Sequence, residues 1–183
     1  MPSKTLFKAR VAITDAETGF YEDALCVLAA GLDEDASSLG VRLVAYCLLA
    51  RLAHAEMGFV RGFSPEDRDI LRLTDEAGQT VHIADFGLPE VRYLRKEAGL
   101  SRKVTVFAFG EGFEDWHERV RGELERIDNL EVVRIGDDGL ARLASCISRS
   151  MHLGVAIQED VVWVSDDTRT EEIGLERLPK KGY

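Results

Sequence analysis

Apolar and polar residues change their rhythm several times along the chain, and each rhythm predicts an element. Lys4 to Thr14 reads as a strand, Asp15 to Gly19 as a turn, and Phe20 to Leu28 as a second strand. The Asp33–Ser38 stretch caps a helix expected from about 36 to 54, with Leu39, Leu43, Tyr46, Cys47, Leu48 and Leu52 giving it a broad apolar face. Met57 to Phe63 predicts a short strand ending at Gly62. Ser64-Pro65-Glu66-Asp67 has Pro at a first turn and predicts a short helix. Thr80 to Phe86 is a strand broken by Gly87-Leu88-Pro89. Pro89 opens a helix running through Ala98 and stopped at Gly99. Lys103 to Phe109 is nearly all apolar inside, as in a strand covered on both faces.

The rest of the chain continues this alternation. Residues 113–127 form an amphipathic helix with Trp116, Val120, Leu124 and Ile127 on one side. A strand follows from Leu130 to Ile135, then a helix from about 139 to 150. Val155 to Gln158 and Val161 to Val164 flank Glu159-Asp160 as a hairpin, and the tail after Asp167 is polar and expected to be loosely held. From residue 36 the order is helix, three strands, helix, strand, with a small helix on either side of the second strand. The expected fold is α/β or α+β, a central mixed sheet flanked by helices, with hairpins before and after it. Without a repeat, long linker or composition break, residues 1–183 read as one domain, its core at about 36–136.

Composition narrows the class. Hydrophobic residues make up 45% of the 183 and charged residues 31%, which excludes disordered and low-complexity chains. No apolar run reaches the length of a membrane helix, and residues 1–20 lack a basic stretch followed by an apolar one, so neither a membrane span nor a secretory signal is expected. Cys26, Cys47 and Cys146 stand far apart among apolar neighbours, which predicts buried thiols in a cytoplasmic protein. His54, His82, His117 and His152 show no zinc-like spacing, so a cysteine or zinc hydrolase lacks its residues. The net charge of -10 is uneven: residues 11–41 hold seven acids and no Lys or Arg, residues 137–176 nine acids and three basics, and the remainder is slightly basic. This argues against unspecific coating of nucleic acid but leaves room for a local cleft that binds it.

The chemistry-bearing candidates are acids placed where apolar strands end. Alternation puts Val81, Ile83 and Asp85 on one strand face, and an acid there must be paired, protonated or bound to a metal. Arg92 and Lys96 lie at i, i+4 on the next helix, where both can point toward one spot. Asp69 stands sixteen residues before Asp85, Glu56 ends the long helix, and Arg42 sits near its start. Two carboxylates converging with a lysine form the minimal kit for metal-assisted phosphodiester hydrolysis. Each residue also has an ordinary structural use: Asp85 as a helix cap, Asp69 in a solvated charge run, Arg92 and Lys96 on an exposed face.

These residues carry a family resemblance. Ile83-Ala84-Asp85-Phe86-Gly87-Leu88-Pro89 with Arg92 and Lys96-Glu97-Ala98 is similar to the signature of the bacterial YaeQ family. So are Gly40-Val41-Arg42-Leu43-Val44-Ala45-Tyr46, Arg61-Gly62-Phe63-Ser64, Phe107-Ala108-Phe109-Gly110, Arg126-Ile127-Asp128-Asn129-Leu130, Met151-His152-Leu153 and Val162-Trp163-Val164-Ser165-Asp166. The resemblance implies a fold like that of the PD-(D/E)XK nucleases, restriction-endonuclease-like, and a Mg2+- or Mn2+-dependent nuclease. Asp85 and Asp69 would hold the metal, with Glu56 as an extra acid. Lys96 would orient water, Arg42 and Arg92 would contact phosphate or brace the carboxylates, and Gln158 would approach the same cleft. The sequence departs from the nuclease motif at two places: Arg68 precedes Asp69 where Pro is usual, and Gly87 stands where the motif has Lys. The alternative is a non-catalytic module on a degenerate nuclease fold, binding nucleic acid or a protein of transcription or translation, with Arg42–Asp85 as its natural ion pair and no metal affinity.

Overall fold

The computed structural model describes residues 4–53, 56–64 and 69–178. Its elements are β1 (Thr5–Asp15), β2 (Phe20–Ala30), α1 (Ala36–Ala50), β3 (Glu56–Arg61), β4 (Asp69–Thr74), β5 (Thr80–Phe86), α2 (Val91–Leu100), β6 (Lys103–Ala108), α3 (Phe113–Leu124), β7 (Leu130–Arg134), α4 (Asp137–Cys146), β8 (Ser150–Gln158), β9 (Val161–Ser165), β10 (Thr170–Gly174) and β11 (Glu176–Arg177). Among the described residues this is an α+β fold of two mixed sheets and four helices, ordered β10-β9-β8-β1-β2 and β11-β7-β6-β5-β4-β3. The chain divides into two compact units: β1, β2, α1, α4, β8, β9 and β10 form the first, and the remaining elements form the second.

In the first unit, Ala9, Val11 and Ile13 of β1 and Cys26 and Leu28 of β2 turn inward, while Lys8, Arg10 and Leu25 face out. β1 pairs antiparallel with β2 and parallel with β8, so the two expected hairpins are joined into one sheet. The helix α1 is apolar nearly all round and accordingly buried. Asp35 caps it by accepting from Ser38 N at 2.8 Å. Gly40 lets α4 approach closely: a Cβ there would meet Leu143 Cβ at 2.7 Å. Asp15 ends β1 fully buried, accepting from the backbone N–H of Glu17 and Thr18 and from Arg51 Nη1 at 2.5 Å. Burial pushes its carboxyl up, but Arg51 and these donors together hold it below the usual range.

Several boundaries differ from the sequence expectation. α1 ends at Ala50 rather than near 54, because Leu52 is 45% exposed and finds no core to extend the helix. The short helix expected after Ser64 falls mostly on residues 65–68, outside the described residues, and Asp69 already begins a strand. β4 leads into β5 through a tight turn in which Asp75 Oδ1 accepts from Ala77 N and Gln79 N, closing the loop on itself. α4 starts at Asp137, whose charge and that of Asp138 favour a helix N-terminus, and stops at Cys146. The tail is not loose. β10 pairs with β9 and β11 with β7, and Ile173 and Leu175 are buried.

The second unit holds β5 and β6 in parallel at its centre. One sheet face carries Ile70, Ile83, Val104, Val106, Leu130 and Val132, packed with Val91 and Leu94 of α2 and Trp116, Val120 and Leu124 of α3. β6 is buried from Val104 to Ala108, as its unbroken apolar run requires. The expected order of helix, three strands, helix and strand is met by α1, β3, β5, β6, α3 and β7, with α2 as the helix after the second of those strands; β4 is an additional strand that the sequence pattern did not place. Among the described residues no helix is long and apolar enough to cross a membrane.

Candidate functional site

β4 runs antiparallel to both β3 and β5, while β6 and β7 run parallel to β5. The carboxyl ends of β3, β5, β6 and β7 therefore share one edge of the second sheet with the start of β4. In open sheets of this kind ligands bind beyond the carboxyl ends of the strands. That edge collects Arg61, Phe63, Asp69, Asp85, Gly87 and the beginning of α2.

Asp85 is 5% exposed and its Oδ1 accepts from Phe86 N at 2.7 Å. It pairs in register with Val106 and shares the face of Ile83, the one covered by α2 and α3. β5 then ends, and the chain turns at Gly87, whose φ is +83° and whose N–H bonds Phe107 O at 3.0 Å. Gly87 is the position at which the nuclease resemblance expects a lysine. The residue two after Asp85 has left the strand and occupies the left-handed region that favours glycine, so a side chain there would not extend the Asp85 face. Trp116 Nε1 donates to Pro89 O at 3.0 Å and fixes the turn into α2.

On α2, Lys96 Nζ lies 4.2 Å from the centroid of the Phe63 ring, a cation–π contact at the same edge. Arg92 is exposed; its Nε stands 2.9 Å from Glu90, and its guanidinium lies 4.8 Å from the Tyr93 centroid. Asp69 begins β4 opposite Arg61 of β3. Its neighbour Ile70 lies on the helix-covered face with Val60, so alternation sets Asp69 and Arg61 on the other face, away from Asp85. Glu56 is not on the first helix. It is the exposed first residue of β3, opposite Thr74, at the far end of the hairpin from Arg61 and about 17 Å away at strand rise. The helix it was expected to end stops at Ala50, which leaves Glu56 to the following strand.

The remaining candidates belong to the first unit. Arg42, buried in α1, donates through Nη1 to Glu34 at 2.9 Å and to Ala29 O at 3.2 Å. Gln158 is exposed at the β8–β9 hairpin, opposite Val161. Among the described residues no group of three or more His, Cys, Asp and Glu forms a metal-holding cluster. All three cysteines are buried, and burial pushes the thiol of Cys26 up to about 12, far from a nucleophile's range. His82 is buried with Nε2 2.9 Å from Thr105 Oγ1, His117 stacks on Phe113, and His152 is exposed, while His54 lies outside the described residues. Phe63 and Arg61 join the edge without having been singled out as site residues. The signal for Arg61 lies in the hairpin register, which no local pattern in the sequence reveals.

Comparison with known proteins agrees with this architecture. The family model described as YaeQ protein matches residues 2–175. The chain is 28% identical over 173 residues to "Uncharacterized protein YaeQ" of Escherichia coli (strain K12), and 30% identical to the Salmonella typhi protein of the same name. In each case the alignment covers 93% of both sequences. Two crystal structures superpose closely. The YaeQ protein from Xanthomonas axonopodis pv. citri gives a TM-score of 0.84 at 27% identity, covering 96% of this chain and 98% of that one. The YaeQ protein from Pseudomonas syringae gives 0.85 at 25% identity, covering 96% of both. A match over almost the whole chain in sequence and in fold makes this protein a member of the YaeQ family.

Proposed function

We propose that the carboxyl edge of the second sheet is a divalent-metal-dependent phosphodiesterase site of nuclease type, acting on nucleic acid. The observation that carries this reading is Asp85: a buried carboxylate at the end of a central strand, followed at once by a glycine turn into a helix bearing Arg92 and Lys96. Magnesium is commonly held by one or two carboxylates and keeps several waters, so Asp85 fits as one protein ligand. A cation held there would lower the pKa of a bound water and stabilise charge on phosphate oxygens. Lys96, lifted from the Phe63 ring, would bring positive charge to the scissile phosphate, and Arg92, released from Glu90, would bind a neighbouring one.

The position of Asp69 favours a second reading. Alternation sets it on the face opposite Asp85, which leaves the Asp85 face one carboxylate short of the usual nuclease pair. This supports a non-catalytic nucleic-acid-binding module on a degenerate nuclease fold.

Calorimetric titration with Mg2+ and Mn2+ separates the two. The enzyme reading expects binding by the wild type, its loss in Asp85→Asn and its persistence in Asp69→Asn. It also expects cleavage of DNA or RNA that disappears in Lys96→Ala. A wild type that binds neither metal, while Asp85→Asn loses stability, removes the enzyme reading. Retention of oligonucleotide binding with a steep salt dependence would then support the module.

A further inference from the structure

We infer that β2 is the seam of a symmetric dimer of this chain. β2 is an edge strand of the first sheet, eleven residues long. Its ladder to β1 runs without a shift from Asp15↔Phe20 to Thr5↔Ala30. Natural sheets guard such edges with lysine, proline, bulges or short strands. The β2 sequence Phe-Tyr-Glu-Asp-Ala-Leu-Cys-Val-Leu-Ala-Ala has no lysine, proline or bulge, and its only charged residues are Glu22 and Asp23 near its start. Its outer side chains are exposed instead: Tyr21 by 65%, Leu25 by 56% and Val27 by 41%. At the far end Arg42 takes Ala29 O, which closes the open stretch there.

A second copy fits this edge in one antiparallel register. With Leu25 opposite Leu25 of the other copy, Asp23 falls opposite Val27 and Glu22 opposite Leu28, so the seam runs from Glu22 to Leu28 in each chain. Odd residues face odd residues, and the outer faces of the two sheets become continuous. The acids of β2 meet uncharged residues, so no like charges oppose each other directly. The neighbouring strand then supplies complementary charge. Lys8 is exposed and pairs with Val27 on β1, so it shares a rung with Asp23 of the second copy. Two strand spacings separate their backbones by about 10 Å, within the combined reach of a lysine and an aspartate side chain. The two-fold axis makes this ion pair twice. The same patch on both subunits is what an isologous interface requires.

A seam of this length buries little area, so the dimer is expected to be concentration-dependent rather than obligate. Sedimentation equilibrium of the full chain up to about 200 μM should show a monomer–dimer equilibrium. Leu25→Lys should weaken it about tenfold or more without lowering the melting temperature of the dilute, monomeric protein, since the side chain is exposed there. Asp23→Lys alone should weaken it, and Asp23→Lys with Lys8→Glu should restore it. Under mild oxidation Leu25→Cys should give a disulfide-linked dimer, because directly opposed residues in antiparallel strands lie within disulfide reach; Leu32→Cys should not. A wild type that stays monomeric over this range overturns the inference. So does a dimer indifferent to Leu25→Lys, or one in which Leu25→Cys fails to cross-link.

Discussion

His82 and Asp15 show how single residues set the pH response of this fold. Burial, with the Lys103 ammonium nearby, pulls the His82 imidazole down to about 4, so it stays neutral beside Thr105. The unfolded chain takes up this proton near pH 6.5 and the folded one only near 4, so stability is lost as pH falls between those values and is flat below. The loss is worth about 3 kcal/mol, and denaturant melts from pH 7.5 to 4 should show it in the wild type and not in His82→Gln. Asp15 acts in a lower window. Its depressed carboxyl contributes stability above the ordinary aspartate pKa and loses it as pH falls through the folded value. Residue-level legibility was uneven. Asp85 stood out because an acid on a core strand face is costly, and Lys96 because helical spacing aims it. The ring beneath Lys96 comes from the packing of α2 on the segment after β3, and the face of Asp69 from pairing between strands; no local spacing encodes either.

At the scale of elements, the strongly periodic segments were readable and the boundaries were not. β5 and β6 announced themselves through apolar runs, and α3 through one apolar stripe. α1 overran in the sequence because Leu52 continues the helical period where no core lies beneath it. β10 was missed for the opposite reason: Ile173 and Leu175 are isolated in a polar stretch, and only pairing with β9 gives them a core to enter. Helix-to-helix packing yields a sharp expectation here. Gly40→Ala would place a methyl against Leu143 at a distance no real Cβ tolerates, so α1 and α4 must part. The cost should be about 1–3 kcal/mol despite alanine's better helix propensity, read as a lower urea midpoint with an unchanged m value. A gain in stability would mean the two helices are not in close contact at that point.

Over the whole molecule, chain order and spatial order diverge. Among the described strands β1 comes earliest in the chain yet lies between β2 and β8, while β10 and β11, the latest in the chain, each complete an edge of a sheet. A chain ended after Asp167 should therefore melt well below the full one. Withdrawing the burial of Ile173 and Leu175 alone removes about 4 kcal/mol. An unchanged melting temperature would show that the tail is not part of the fold. The overall class was legible because element types survive in local patterns; the joining of the terminal hairpins was not, because a parallel ladder between Lys8 and Ser150 leaves no trace at short range. That ladder also sets a timetable. During synthesis β8 emerges about 140 residues after β1, on the order of ten seconds later. Through that interval the β1–β2 ribbon exposes Ala9, Val11, Ile13, Cys26 and Leu28 with neither its eventual neighbour strand nor α4 in place. The nascent chain thus offers chaperones an apolar ribbon that the finished protein hides, and its yield in the cell should depend on how fast the ribosome reaches β8.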